Sequence, residues 1–450
     1  MNRRELSLWD VTLYGIWQEI KKDLLVILLM GISAFLMMTA VGKLTYTPIY
    51  QSTATVAISI KGSSGSSSLS TANSMAEVFS NIFSSDVLQR KVREKTEQGI
   101  SGNISCSMVP ETNLITLTSS ANDPREAYLY LEMALKSYNE VSDHIFSNSA
   151  LDVIEEPTLP MAPSNISIFI RYRFLASVLV VILCIGVSIL QYVLRYTVKT
   201  VEGAKQKLDG TILGVTHIEK KKKKDKDVPI TITNPLVSRD FTEQIRMIAF
   251  RIEKRMKEHG FKTLLINSVI EHEGKSTYSI GVATALAEKG KKVVLIDGDF
   301  LRPTLIEVLP KKNEDYCSLS DVLDGVTSWK DAVCTDSKSQ IQVLLQEHAV
   351  KKPQDYAKVD RLKPLIDSIS KDVDYVIVDT SPVSVSADAE IWMQTVDTAI
   401  LVVRQDWSDI RAINDAVDLI WQNCEDFTGF VLNAFAESGI RGIGKGASYE

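Results

Sequence analysis

Residues 267–277 read NSVIEHEGKST. The stretch closes on Gly274, Lys275, Ser276 and Thr277, the end of a phosphate-binding loop of the type G-x-x-x-x-G-K-[ST]. Its first half departs from that pattern. The spacing puts a glycine at 269, where the chain has Val269, and a second glycine common just upstream of the last one falls at His272. A bare GKST is weak evidence, so its neighbours decide. TLLIN before it reads as a buried strand, and KSTYSIGVATALAEKG reads as a helix ended by Gly290. Strand, loop and helix in that order set backbone N–H groups and the positive end of the helix where phosphate oxygens would sit. Lys275 would then reach the β- and γ-phosphates, and the Ser276 hydroxyl would hold Mg²⁺.

Two later strands end in acids. KVVLIDGD supplies Asp297 and Asp299, and DYVIVDTSPV supplies Asp379. Further apolar runs, TAILVVR and GFVLN, alternate with helical stretches such as RAINDAVDLIWQN. Continuous apolar strands between helices mean a parallel sheet covered on both faces. Acids at the carboxyl edge of such a sheet point into one crevice, and one or two carboxylates with waters and phosphates suit Mg²⁺. A single Asp there is as well explained as a turn cap, but three beside a GKST point to a nucleotide. The departures weaken the site without abolishing it. A left-handed His272 costs about 1–2 kcal/mol over glycine. Glu271 and Glu273 add negative charge near the phosphates unless their side chains face solvent.

Residues 24–42 and 174–194 contain no charged side chain and are long enough to cross a bilayer, with basic flanks. The bland alternative for each is a buried core helix. The first starts too late and runs too long for a signal peptide. Arg3, Arg4, Lys21 and Lys22 before the first span, and Arg195, Lys199, Lys205 and Lys207 after the second, favour cytoplasmic termini. Between the spans, YQSTATVAISI reads as a strand, GSSGSSSLST as a loop, and residues 72–97 as a helix. ISCSMV and LITLTSS read as two short strands, and residues 123–146 as an amphipathic helix capped by Asp123. LDVIEEPTLPMAPSN is an extended return to the membrane. After the second span, VEGAKQKLDGTILGV reads as a short helix and strand, and the lysine run 220–227 as a linker able to touch anionic lipid. The net charge of −6 argues against binding nucleic acid by bulk charge. Five scattered cysteines without a C-x-x-C argue against a zinc site or a disulfide framework.

The expected fold class is α/β. Two transmembrane helices carry a small extracytoplasmic α+β domain and a cytoplasmic P-loop α/β domain with a mostly parallel sheet. The expected segments are a cytoplasmic start (1–23), a span (24–42), the extracytoplasmic domain (43–173) and a second span (174–194). A linker (195–235), the P-loop domain (236–438) and a flexible tail (439–450) complete the chain.

This order of parts resembles the bacterial tyrosine kinases fused to a Wzz-type polysaccharide co-polymerase, or chain-length determinant. In the outer half the resemblance rests on TPIYQSTATV, NLITLTSSANDPREA and PTLPMAPSN. In the inner half it rests on EGKST, LIDGDFLRP and DYVIVDTSPV, similar to the Walker A, A′ and B motifs. The resemblance implies Asp297 and Asp299 acting on Mg²⁺ and the acceptor tyrosine, with Lys275 as the third catalytic residue. It implies Asp379 as the Walker B acid, so that Ser276, Asp297 and Asp379 hold the metal. The nucleotide set is Glu273, Gly274, Lys275, Ser276, Thr277 and, at the end of GFVLN, Asn433. Leu301 stands where an arginine is common. EQIRMIAFRI is similar to the family's E-x-x-R-x-x-R contact helix, with Glu243 and Arg246 matching and Ala249 in place of the last arginine. The acceptor is Tyr449, alone in a glycine-rich tail.

Two readings stay open. One is a Mg-ATP-dependent tyrosine autokinase in a homo-oligomer at the bacterial plasma membrane, serving capsule or exopolysaccharide assembly. Its partners are the polysaccharide polymerase and export machinery, the growing polysaccharide and a cognate phosphatase. The other is a structural co-polymerase with a nucleotide-binding but poorly catalytic domain. An ATPase of the septum-positioning type is a lesser third, opposed by Ile270 where that group has lysine and by the two spans.

Overall fold

The computed structural model describes residues 11–60, 78, 81, 83, 85–95, 102–109, 112, 114–142, 149–219, 229–309, 318–336 and 338–436. The expectations for GSSGSSSLST, the lysine run and the Tyr449 tail lie outside these residues. The chain divides into two units, residues 24–185 and residues 1–23 with 186–450.

The long apolar stretches form helices α1 (Leu13–Leu44) and α4 (Ile168–Leu194). Both are long and apolar enough to cross a membrane and leave most of their aliphatic side chains exposed. A core helix of a soluble domain would bury them. Within residues 24–185, Ser177 Oγ donates to the Gly31 carbonyl at 2.8 Å. A Cβ on Gly31 would lie 2.8 Å from Val181 Cγ2, so glycine lets the two backbones approach.

Strands β1 (Tyr50–Ile60), β2 (Asn103–Met108), β3 (Leu114–Ala121) and β4 (Ser149–Glu155) form an antiparallel sheet in the order β2-β3-β1-β4. Alternation in β3 buries Ile115, Leu117, Ser119 and Ala121. Helix α2 (Asp86–Lys95) lies within the longer helix expected at 72–97, and helix α3 (Pro124–Ser142) turns Ala127, Tyr130, Leu131, Ala134 and Tyr138 into the same core. Those spacings fall on one helical stripe. Asp123 Oδ1 caps α3 by accepting from Arg125 N at 2.8 Å and Glu126 N at 3.3 Å. Strand β4 takes in residues the sequence presents as an approach to the membrane. The prolines that forbid a ladder begin only at Pro157, so LDVIE is free to pair with β1.

The other unit is built on an eight-stranded sheet of order β5-β12-β11-β6-β10-β7-β9-β8. Its strands are β5 (Ile212–His217), β6 (Thr263–Ser268), β7 (Val293–Asp297), β8 (Cys334–Thr335), β9 (Gln342–Leu344), β10 (Tyr375–Asp379), β11 (Thr398–Arg404) and β12 (Asp426–Phe435). All neighbours are parallel except β8 on β9. Helices α6 (Arg239–His259) and α7 (Lys275–Glu288) cover one face through Ile245, Ile248, Ile252, Ile280 and Leu286. Helices α8 (Val359–Asp372), α9 (Asp388–Met393) and α10 (Ile410–Asn423) cover the other through Leu362, Ile366, Trp392, Ile413 and Ile420. Leu264 and Ile266 face the first layer and Leu265 the second, which is why these strands read as unbroken apolar runs. The short helix α5 (Val201–Lys207) and β5 lie in the stretch set aside as linker, yet β5 pairs with β12 and belongs to the sheet.

Candidate nucleotide and phosphoryl-transfer site

The site lies at the carboxyl ends of β6, β10 and β7. Asp379 and Asp297 are register partners on adjacent strands. Gly274, at φ 102°, turns the chain from the loop into α7. Left-handed backbone favours glycine, and a Cβ there would collide with Asn433 Nδ2, which donates to the Glu273 carbonyl at 2.7 Å. The first-turn N–H groups of α7 therefore open at the end of the central strands.

Lys275 Nζ lies 3.3 Å from Asp299 Oδ2 and 3.6 Å from Asp379 Oδ2. Burial alone would lower the lysine pKa, but Asp379, Asp299 and Asp297 outweigh it and the net shift is upward. Ser276 Oγ donates to Asp379 Oδ2 at 2.7 Å and sits 3.1 Å from Thr304 Oγ1. Ser279 Oγ, one turn on, donates to Asp379 Oδ1 at 2.9 Å. Asp297 accepts from the Asp299 and Leu305 amides at 3.3 and 3.2 Å, and Asp299 Oδ1 from the Leu301 and Arg302 amides at 3.2 and 2.9 Å. Burial, then the neighbouring Asp379, pushes the Asp297 carboxyl well above its usual range. Burial raises Asp379 too, against Lys275 and the two serine hydroxyls. The donors are all oxygen, which suits Mg²⁺. Among the described residues no three or more acidic, histidine or cysteine side chains form a ready metal cage.

His272 takes the expected left-handed backbone, at φ 66°. Val269, at the place of the first glycine, is buried in the core. The reading of Glu273 as a repulsive charge needs correction. Its carboxylate is buried, turned away from the loop mouth, and accepts from Val269 N at 2.8 Å, Ile270 N at 3.0 Å, Arg404 N at 3.3 Å and Ser408 Oγ at 2.8 Å. Burial raises its pKa and these donors oppose the rise. Glu271 pairs with Arg302 on the surface.

A second loop braces the first. Arg404 donates to the His272 carbonyl at 3.1 Å, and its guanidinium lies over the Trp407 ring at 4.4 Å. Trp407 Nε1 donates to the Glu271 carbonyl at 2.9 Å. The same loop is held from its far side. Asp406, at φ 54°, accepts from Tyr192 Oη at 3.3 Å and Thr197 Oγ1 at 3.2 Å, and its amide donates to the Val198 carbonyl at 2.9 Å. Tyr192 Oη also meets Thr12 Oγ1 at 3.1 Å. Residues 404–408 thus join Tyr192, Thr197 and Val198 to the phosphate loop.

The AAA domain family matches residues 272–423. The tyrosine-protein kinase CpsD of Streptococcus pneumoniae serotype 4 is 30% identical over 172 residues, 38% of this chain and 75% of CpsD. The tyrosine-protein kinase YwqD of Bacillus subtilis is 32% identical over 162 residues, 36% of this chain and 68% of YwqD. The chain belongs to the bacterial tyrosine-protein kinases. AmsA of Erwinia amylovora is 22% identical to this kinase chain over 377 residues, 79% of the chain and 50% of AmsA.

In this bacterial tyrosine kinase the fold brings Lys275, Ser276, Asp297, Asp299 and Asp379 together, with Gly274 and Asn433 at the loop and Thr277 half-buried in the first turn of α7. Glu243 and Arg246 lie apart from them on α6. Arg246 bonds Glu243 at 2.9 Å and forks onto Glu288 at 2.9 and 3.2 Å. Ala249 is fully buried against the sheet, so it is no vacancy for a surface arginine. Sequence reasoning missed Ser279, Thr304, Arg404, Trp407 and Ser408. Only Ser279 carries a local signal, its position one helical turn after Lys275.

Proposed function

We propose that this chain is a membrane-anchored polysaccharide co-polymerase whose cytoplasmic domain is a protein-tyrosine autokinase. It transfers the γ-phosphate of ATP to Tyr449 of a neighbouring subunit. Both termini are cytoplasmic, residues 43–173 face outward, and the homo-oligomer works with a polysaccharide polymerase and export machinery at the bacterial plasma membrane. Cycles of phosphorylation and removal by a cognate phosphatase, each adding or taking up to two charges per tail, govern capsule or exopolysaccharide assembly.

The observation that carries this reading is the contact of Lys275 with Asp299 and Asp379 at the mouth of the GKST loop. Lys275 positions the β- and γ-phosphates and offsets the charge that grows between them. Ser276, Asp379 and Asp297 would hold Mg²⁺, which when bound would neutralise phosphate oxygens. The backbone N–H groups from Glu273 to Thr277 cradle the phosphates, with Asn433 fixing the turn at Gly274. Asp299 faces the acceptor side, and Glu243 and Arg246 lie on the subunit contact.

A structural co-polymerase with a poorly catalytic domain is the second reading, favoured by the left-handed His272. Purified full-length protein incubated with Mg-ATP separates the two. Phosphotyrosine in the wild type, absent in Lys275→Ala and reduced in Tyr449→Phe, supports the kinase. No label in the wild type sinks it. Label persisting in Tyr449→Phe moves only the acceptor.

A further inference from the structure

Four carboxylates gather around β7 and β10, and three of them are fully engaged. Asp297 receives two backbone amides, Asp379 receives Ser276 and Ser279, and Asp299 receives two amides on one oxygen and Lys275 on the other. The fourth is Asp388, at the start of α9. It is 5% exposed, and its Oδ2 is buried with no hydrogen-bond partner. A buried carboxylate oxygen without a donor is unfavourable unless something fills it. Its place follows from α9. Trp392, one turn further along the same face, donates Nε1 to the Gly298 carbonyl at 3.1 Å, and its ring fills the space a Cβ on Gly298 would need. Gly298 stands between Asp297 and Asp299, so α9 is locked to the acid loop and Asp388 lies within the field of Asp299. The hydroxyl of Ser381, two residues beyond Asp379, is likewise buried without a partner.

We propose that Asp388 is a catalytic residue on the acceptor side, whose unpartnered oxygen takes the hydrogen bond and then the proton of the incoming tyrosine hydroxyl. The inference rests on the kinase reading above. The phenolic oxygen bonds to the γ-phosphorus while the bond from that phosphorus to the β,γ-bridging oxygen breaks. ADP leaves with that electron pair, and the phenolic proton passes to Asp388 and then to solvent. Asp299 would have to give up Lys275 to do the same work. Burial raises the Asp388 carboxyl above its usual range, Ser386 opposes this and the Asp299 charge adds to it, so the group is suited to accept a proton.

The test uses the full-length chain in detergent, wild type and Asp388→Asn. Phosphotyrosine is followed in time with Mg-ATP, and Mg-ADP affinity is measured on the same preparations. Asp388→Asn is expected to be slower by about 100-fold, with Mg-ADP affinity kept within about twofold. Asp388→Asn labelling at the wild-type rate overturns the inference and leaves the kinase reading standing. Loss of Mg-ADP binding in step with label also overturns it, because Asp388 then serves the fold or the nucleotide. A wild type without label overturns the kinase reading and this inference with it.

Discussion

Ser408 donates a hydrogen bond to Glu273 Oε1 across 2.8 Å, 135 positions away in the chain. The bond closes a phosphate loop that lacks two of its usual glycines. Glycines let such a loop fold by their own freedom. Here a buried carboxylate gathers the loop amides from beneath, and the 404–408 loop pins the loop carbonyls from outside. Hydrogen bonds to charged groups contribute about 1.5–3 kcal/mol. Ser408→Ala is expected to lower the urea-unfolding free energy of the purified protein by about that amount and to weaken Mg-ADP binding. Affinity unchanged in that variant would mean that the loop keeps its shape without the brace.

His272 gives the opposite test. Its backbone is left-handed and its side chain exposed, so glycine there relieves about 1–2 kcal/mol. His272→Gly is expected to tighten nucleotide binding and raise the phosphorylation rate. An equal or lower rate would show that the strain is borne elsewhere.

The buried acids trade stability for chemistry. Asp297 and Asp379 have folded pKa values above the unfolded value of about 3.9. For such groups the stabilising contribution is fully present below about pH 4 and is lost as pH rises through the folded pKa. Asp297→Asn is therefore expected to raise the melting temperature of the nucleotide-free, Mg²⁺-free protein at pH 7 while abolishing phosphotyrosine formation. The gap to wild type should narrow as the pH falls towards 4. A variant less stable than wild type at pH 7 would mean that the Asp297 charge is compensated in the folded state.

Ala249 tests the contact helix. Its side chain packs under α6 against the sheet, so an arginine there buries a charge without a partner. Ala249→Arg is expected to unfold or aggregate the protein, consistent with a cost of several kcal/mol. A folded variant with tighter self-association would return this position to the subunit contact.

Much of the sheet was legible because both of its faces are covered. TLLIN, VVLID, YVIVD and TAILVVR are unbroken apolar runs, and each is a strand. The acids at their ends were legible for the same reason, since a strand end fixes where its last side chain points. Strand β4 was hidden by the prolines after it, and β5, although read as a strand, was set apart from the sheet it joins by the lysine run that follows it. The brace was not legible at all. Arg404, Trp407 and Ser408 reach the loop through the fold, and no local pattern marks them. Glu273 was misread because charge can be seen in a sequence, but burial and four donors cannot.

In the function proposed above, Lys275 and its carboxylates transfer phosphate from ATP to tyrosine. Time-resolved phosphotyrosine measurement on purified full-length protein with Mg-ATP, beside Lys275→Ala, tests it directly. Label is expected to accumulate in the wild type and to be absent from the variant. No label in the wild type, or equal label in both, would contradict it.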